Sequence, residues 1–430
     1  MKRFVLAGVS VAVVMACAFP AAHSATNAPA VRTPYELLNE AMDRVRANYV
    51  GPVDETKLIY SAINGMVSSL DPHSNYMDPK EYSELQNENK GEFAGIGIEL
   101  TRDGENIKVV TALDDTPASK AGITSGDMIV AIDGTRTQGM PINEAVDRMR
   151  GPAGSQVKLT LTHGSEDQSR DVTLSRAVVH VASVKFERKG DVGYVRIATF
   201  SESTDSSLQN AIATLKQQIG ANLKGYVIDL RNDPGGLLDQ AISVSDDFLN
   251  SGDIVSTRGR AAEETQRYQA KPGDIANGKP IIVLINEGTA SASEIVAGAL
   301  QDQKRATVMG TTSFGKGSVQ TIIPLGGRVG GALKLTTAKY YTPSGHSIQA
   351  LGISPDIAVS NLTEKEDHDS AKAAKRSEAA LAGHLDNENA DRRVSKTVIH
   401  PEEGKKYDDF QLSYALDRLN GDSTSSATSH

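Results

Sequence analysis

The stretch TASASEIVAGAL, residues 289–300, sets Thr289, Ser291 and Ser293 two residues apart and then runs into an apolar pattern with helical spacing. Two chemistries fit it. Ser291 followed by Glu294 matches the S/T-x-x-E capping box, with Ile295, Val296, Ala299 and Leu300 as the buried face of the helix. A serine at such a junction can also be a nucleophile, provided that a base and oxyanion donors exist elsewhere in the chain.

Histidine is a poor candidate for the base. Of nine histidines, one lies near the N-terminus and most of the rest lie in turns or in the polar C-terminal part. Only His73 and His346 have neighbours of interest, and neither stands in a G-x-S-x-G or triad context. No H-E-x-x-H or paired-histidine spacing points to a metal, and no cofactor is expected.

Lysine is the other option. SFGKGSVQTIIPL (313–325) places Lys316, Ser318 and Gln320 at i, i+2 and i+4. In a strand all three face one side. The apolar run that follows suggests an internal strand with Lys316 partly buried. Burial lowers a lysine pKa from about 10.4 by up to ~3–5 units, so a neutral amine could take a serine proton. Gln320 would hold that amine through its amide oxygen. On its own, Lys316 reads more simply as an exposed lysine on a turn. For the oxyanion, LRNDPGGLL (230–238) puts two glycines between a buried strand and a helix. Free N–H groups at such a helix start point outward, so Gly235 and Gly236 can offer one donor and Ala292 the other.

These residues need a scaffold. Residues 34–49 and 55–70 have helical spacing and precede the turn-rich SLDPHSNYMDPKEY. From Gly91 short strands follow (GEFAGIGIEL, IKVVTAL, DMIVAIDG, QVKLTLTHG), with one short helix at 142–150. From about 192 strand and helix alternate: strands at 192–200, 225–230 and 280–286, helices at 204–219 and 236–249. Such alternation implies parallel strands with crossover helices. Ser291 then falls at the C-terminal edge of the sheet, where ligands usually bind. Residues 361–430 are polar. Within them 370–385 is helix-like, DDFQLSYALDRL is amphipathic and able to dock on the body, and the last ten residues are expected to be disordered.

Composition restricts the function. The 430 residues carry a net charge of −9, no Trp and 5% aromatic residues, which argues against nucleic acid as a partner. Lys2 and Arg3, the apolar run 4–19 and Ala22-His23-Ser24 read as a signal peptide cleaved before Ala25, with an uncleaved anchor as the alternative. The single Cys17 lies inside that segment. The mature chain would then have no disulfide, thiolate or cysteine metal site. The expected location is the periplasm or cell envelope.

The strings LDPHSNYM, FAGIGIEL, SKAGITSGDMIVAIDG, LRNDPGGLL, TASASEI, FGKGSVQ and YYTPSGHSIQALGISPD occur in this order. Together they resemble the carboxyl-terminal processing, or tail-specific, proteases, from about Tyr35 to Pro355. The resemblance implies a Ser–Lys dyad in which Ser291 is the nucleophile, Lys316 the base and Gln320 its partner. It also implies an oxyanion hole from the P-G-G turn and Ala292. Thr289 replaces a serine of the family pattern, Asp233 stands where Asn or Gly is common, and His346 where Arg is common. The implied fold is α/β: a crotonase/Clp-peptidase-like β-α spiral core with an inserted PDZ domain and helical N- and C-terminal segments. The corresponding map is 1–24 signal peptide, 25–90 helical region, 91–180 PDZ domain, 181–360 protease core and 361–430 C-terminal region and tail.

The PDZ-like module has its own chemistry. Gly95, Ile96, Gly97 and Ile98 form a loop of backbone donors for a peptide carboxylate, and Val146 and Met149 form one wall of an apolar pocket. The substrate would be a protein with a free, apolar C-terminus. The sequence leaves room for an adaptor protein, and apolar helices at both ends of the mature chain point to self-association. Two rivals are a PDZ-based binding or chaperone protein with an inactive core, and an acyl-CoA enzyme of the crotonase type. The intact Ser291, Lys316 and Gln320 disfavour the first, and the signal peptide and PDZ-like insertion disfavour the second.

Overall fold

The computed structural model describes residues 33–113, 115–163, 169–326, 330–366, 377–388 and 397–421. The chain divides into two compact units between Leu58 and Ile59. In the first, Pro34–Asn48 (α1) opens with a full capping box between Thr33 and Glu36. Its apolar residues Leu37, Leu38 and Val45 stay exposed. Helix Glu55–Ser68 (α2) begins in the first unit and ends in the second.

The turn-rich stretch is more regular than its composition suggests. Asn75–Met77 (β1) is a strand and Pro79–Lys90 (α3) a helix. The helix starts at D-P-x-E, residues 78–81. Asp78 accepts from the N–H groups of Lys80 and Glu81, Glu81 accepts from the Asp78 N–H, and Pro79 fills the first turn.

A β-rich module follows. It contains Glu92–Gly95 (β2), Ile98–Asp103 (β3), Asn106–Ala112 (β4), the short helix Pro117–Lys120 (α4), Asp127–Ile132 (β5) and Thr135–Arg136 (β6). It continues with Ile142–Met149 (α5), Gln156–His163 (β7), Arg170–Ser175 (β8) and Ala177–His180 (β9). One antiparallel sheet runs β3-β4-β5-β7-β8, and β2 pairs separately with β9. Alternate residues such as Ile107, Val109, Leu159 and Leu161 fill a core of its own.

The remaining elements in chain order are Val184–Lys189 (β10), Val192–Ile197 (β11), Thr204–Ile219 (α6), Gly225–Asp229 (β12), Leu238–Asp246 (α7), Asp253–Arg258 (β13) and Gln266–Gln269 (β14). Then come Ile281–Ile285 (β15), Ala292–Asp302 (α8), Thr307–Gly310 (β16), Ser318–Pro324 (β17), Ala332–Tyr341 (β18), Ile357–Ala358 (β19) and Phe410–Asn420 (α9). Strands β11, β12, β15, β16 and β19 run parallel, with β10 antiparallel at one edge. The expected α/β alternation is thus observed. Both faces of β12 and β15 are covered, which explains their unbroken apolar runs. Tyr226, Ile228, Val283 and Ile285 pack with residues of α6, α7 and α8. Val227, Ile282 and Leu284 face the other way, where α9 docks through Ala415.

A second sheet holds β1, β18, β13 and β14 in that order, with β17 paired to β18. Here two expectations are corrected. Among the described residues β17 pairs with β18 alone, so it is an edge strand and not an internal one. It also begins at Ser318, which leaves Lys316 in the preceding loop, and its register shifts between Val319 and Gln320. In the C-terminal region, the part of 370–385 that is described holds only a 3-10 turn, Glu378–Ala380, and not a longer helix. The expected signal segment lies outside the described residues, as does the expected disordered tail from residue 422 onward, while Gly421 caps α9.

Candidate active site

Strand β15 and helix α8 deliver Ser291 on a tight turn. Its backbone has φ +58° and ψ −116°, a combination that a side-chain-bearing residue rarely adopts. Such strain at a strand-to-helix turn pushes a serine hydroxyl out of the chain's path. The three hydroxyls separate by what they bond. Thr289 Oγ1 donates to Leu230 O (2.8 Å) and Ser293 Oγ to Asp233 O (3.1 Å), so both tie the helix start to the glycine loop. The Glu294 N–H at the third helical position donates to the Ser291 carbonyl (2.9 Å). The expected Ser291–Glu294 capping box is present, with the Glu294 carboxylate accepting from the Ser291 N–H (2.8 Å).

The loop after β12 lies directly against this turn. Ala290 N–H donates to Asp233 O (2.9 Å), and Asn286 Oδ1 accepts from Asn232 N–H (2.8 Å). A Cβ at Gly235 would sit 2.8 Å from Ala292 N and 2.9 Å from Ser291 Cβ, so only glycine allows this approach. The two expected glycine donors are not equivalent. Gly235 N–H is taken by Asp233 Oδ1 (2.8 Å). Gly236 N–H donates to no group among the described residues. Ala292 begins α8, so its N–H has no partner within the helix. Gly236 and Ala292 thus keep their donors, and Gly235 supplies proximity. Asp233 itself is fully buried with Oδ2 unpaired, and burial pushes its carboxyl up to about 7.

Glu294 connects Ser291 to the lysine loop. Its Oε2 accepts from both Ser291 N–H (2.8 Å) and Lys316 N–H (2.9 Å). Its Oε1 accepts from Ser313 Oγ (2.5 Å) and Gly315 N–H (2.7 Å). One fully buried carboxyl therefore fixes the backbone on both sides of the site. Burial pushes it up to about 7 against four hydrogen bonds that favour the ionised form. Lys316 is pushed down to about 8, first by burial and then by the like charge of Lys334. The carboxylates of Glu378, Glu294 and Asp71 work in the opposite direction.

Gln320 is held through its amide nitrogen. Its Nε2 donates to Ser318 Oγ (2.9 Å) and Thr336 Oγ1 (3.3 Å), which fixes the amide plane from strands β17 and β18. Sequence reading missed the residues behind it. Thr336 Oγ1 donates to Asp71 Oδ1 (3.0 Å), and Ser74 Oγ donates to Asp71 Oδ2 (2.6 Å). LDPHS, which reads as a turn, thus reaches the lysine region across the sheet. No local spacing reveals this, because Asp71 and Thr336 meet only through the pairing of β1 with β18.

In the β-rich module, the carbonyls of Ile96 and Gly97 accept from Ala118 N–H (3.0 Å) and Leu113 N–H (2.9 Å). The N–H groups of Ile96 and Gly97 donate to no group among the described residues. Gly97 has φ +77°, and a Cβ there would lie 2.4 Å from Thr116. The side chains of Ile96 and Met149 are buried in the module's core. Val146 and Ile98 are half-buried, with Gly95 at the end of β2.

Residues 191–359 match the model of peptidase family S41, 108–162 that of a PDZ domain, and 19–81 that of the N-terminal domain of the activating protease CtpB. The class is thus a serine-type endopeptidase with a PDZ domain on a mixed α/β fold. A carboxy-terminal-processing protease of Bartonella bacilliformis is 52% identical over 392 residues, covering 90% of this chain and 88% of that one. A carboxyl-terminal-processing protease of Synechocystis sp. is 38% identical over 324 residues, covering 73% and 74%. Among solved structures, a photosystem II D1 C-terminal processing protease is 33% identical, covers 76% of this chain and 93% of its own, and has a TM-score of 0.46. The chain belongs to the carboxy-terminal-processing proteases of peptidase family S41.

Proposed function

We propose that the chain is an exported endopeptidase that captures apolar C-terminal tails in its PDZ domain and cuts peptide bonds with Ser291 and Lys316. The observation that carries this reading is the joint placement made by Glu294: one carboxyl oxygen holds the strained Ser291 turn and the loop of a lysine with a lowered pKa. The neutral Lys316 amine takes the Ser291 proton as the oxygen attacks the scissile carbonyl. The oxyanion accepts from Gly236 and Ala292 N–H. The lysine ammonium then returns the proton to the departing amine, and the acyl-enzyme is opened by water with the same amine as base. Gln320 holds the lysine side of the cleft. The basic and apolar N-terminus supports export, and the unpaired Ile96 and Gly97 donors support capture of a terminal carboxylate.

The test uses purified full-length protein and a serine-directed phosphonate probe. Labelling and cleavage should disappear in Ser291→Ala, and in Lys316→Arg, whose guanidinium stays charged. Because the working form is the neutral amine, the rate should rise with pH and reach half its maximum near 8. Full cleavage by Ser291→Ala, or a flat profile between pH 6 and 9, would overturn the assignment.

A further inference from the structure

The lysine loop is held from a second direction by the C-terminal segment. Glu378 is almost fully buried and lies beyond residue 359, where the match to the peptidase model ends. Its N–H donates to Phe314 O (2.9 Å), two residues before Lys316. Its Oε1 accepts from Gln349 Nε2 (2.9 Å). The fully buried Gln349 in turn accepts, through Oε1, from Gly317 N–H (3.0 Å), the residue after Lys316. On its other side Glu378 Oε2 accepts from His73 Nε2 (2.8 Å), and the His73 N–H donates to Asp71 Oδ1 (2.9 Å). Asp71 leads through Thr336 to Gln320. Residues from LDPHS, from SIQ and from the C-terminal segment thus meet around one amine.

We propose that Glu378, clamped between His73 and Gln349, is a positioning residue for Lys316, so that the C-terminal segment completes the pocket of the catalytic base. This rests on the reading of Lys316 as the base. Two effects follow from the geometry. The Gln349 bridge fixes Gly317 and so the direction in which the Lys316 side chain leaves the loop. The Glu378 carboxylate also adds a negative charge facing the amine. The other charged groups that bear on it are Lys334 of β18, Glu294 of α8 and Asp71 after α2. Glu378 favours the ammonium form, so removing its charge should make the amine neutral at lower pH.

Two variants of the full-length chain separate the effects, assayed with a small fluorogenic peptide that needs no tethering. Glu378→Gln keeps the shape and the acceptor for Gln349 but removes the charge. The midpoint of its pH–rate profile should fall by about half a pH unit or more, with KM little changed. Gln349→Met keeps the charge but cuts the link to Gly317. Its kcat should fall roughly tenfold at constant KM, as expected of a displaced base. A merely structural role would lower the melting temperature and leave both readouts unmoved. Folded Glu378→Gln with an unshifted midpoint, together with Gln349→Met at full kcat, would overturn the proposal. If Glu378→Gln does not fold, Gln349→Met decides alone: a kcat loss at constant KM supports the proposal and an unchanged kcat overturns it. Lys316→Ala is run alongside. Full activity there removes the lysine base itself, whereas an inactive Lys316→Ala with unmoved Glu378 and Gln349 variants removes only the positioning role.

Discussion

At the scale of single residues, the site depends on how closely two backbones approach. A Cβ on Gly235 would meet Ala290 O at 2.7 Å, Ala292 N at 2.8 Å and Ser291 Cβ at 2.9 Å, at a φ of +96°. Gly235→Ala must therefore push the Ser291 turn away from the glycine loop. The expected result is a folded protein with kcat down about a hundredfold, comparable to losing one oxyanion donor, which steady-state kinetics on the purified variant would measure. Asp233 makes a different prediction. Its carboxyl is raised from 3.8 to about 7, so the folded state favours the protonated form. That contribution to stability is present below the unfolded pKa and is lost as pH rises through about 7, at up to about 1.4 kcal/mol per pH unit within that window. Asp233→Asn has no such titration. The drop in melting temperature from pH 5 to pH 8 should be smaller in the variant than in the parent. An equal drop would show that Asp233 ionises as freely in the fold as in the unfolded chain.

Elements are held in place by a few buried charges. Arg231, between β12 and the glycine loop, binds the fully buried Asp229 through Nε (2.9 Å) and NH2 (2.6 Å). It also donates to both oxygens of Asp409, the N-cap of α9 (2.8 and 2.7 Å). Arg231→Met would leave Asp229 without its closest partner. The expected cost is roughly 3–5 kcal/mol in a denaturant titration, with faster hydrogen exchange in α9. A loss within experimental error would mean that Tyr194 Oη, which donates to Asp229 Oδ2 (2.8 Å), and Arg196, 3.6 Å from Asp229, already suffice. The same elements show what could be read in advance. Helix α6 was readable to its ends, because Leu208, Ile212, Leu215 and Ile219 are all buried on one face. Helix α3 was not, because it buries no residue and leaves no apolar period, and its D-P-x-E start lies in a stretch whose composition reads as turns. The lysine loop failed for another reason. Its partners Glu294, Gln349 and Glu378 come from distant parts of the chain, and only the folded topology brings them together. Ser291 and Lys316 could be named because the resemblance named them. Their spacing alone left a helix cap and a turn lysine as simpler readings.

At the scale of the molecule, the PDZ domain is joined to the peptidase core in a way that makes it separable. None of its strands pairs with a strand of either core sheet among the described residues. Its two ends meet at the β2–β9 ribbon, where Glu92 lies opposite His180 and Val181 N–H donates to Gly91 O at 2.9 Å. The core and the PDZ domain also have separate apolar clusters. Replacing residues 92–180 by a short Gly/Ser bridge therefore spans almost no distance and exposes little of the core. Such a protein should still cut a small peptide. It should cut a tail-bearing protein poorly, and it should no longer distinguish a free apolar tail from an amidated one. The full-length enzyme should prefer the free tail, because a carboxylate offers the Ile96 and Gly97 N–H groups two charged acceptor oxygens, whereas an amidated end offers one neutral acceptor and sets its own NH2 against the second donor. The decisive measurement is the ratio of kcat/KM for free and amidated tails in the two proteins. A ratio near one in the full-length enzyme would remove the carboxylate from recognition. A ratio unchanged by the deletion would place tail recognition in the peptidase cleft itself.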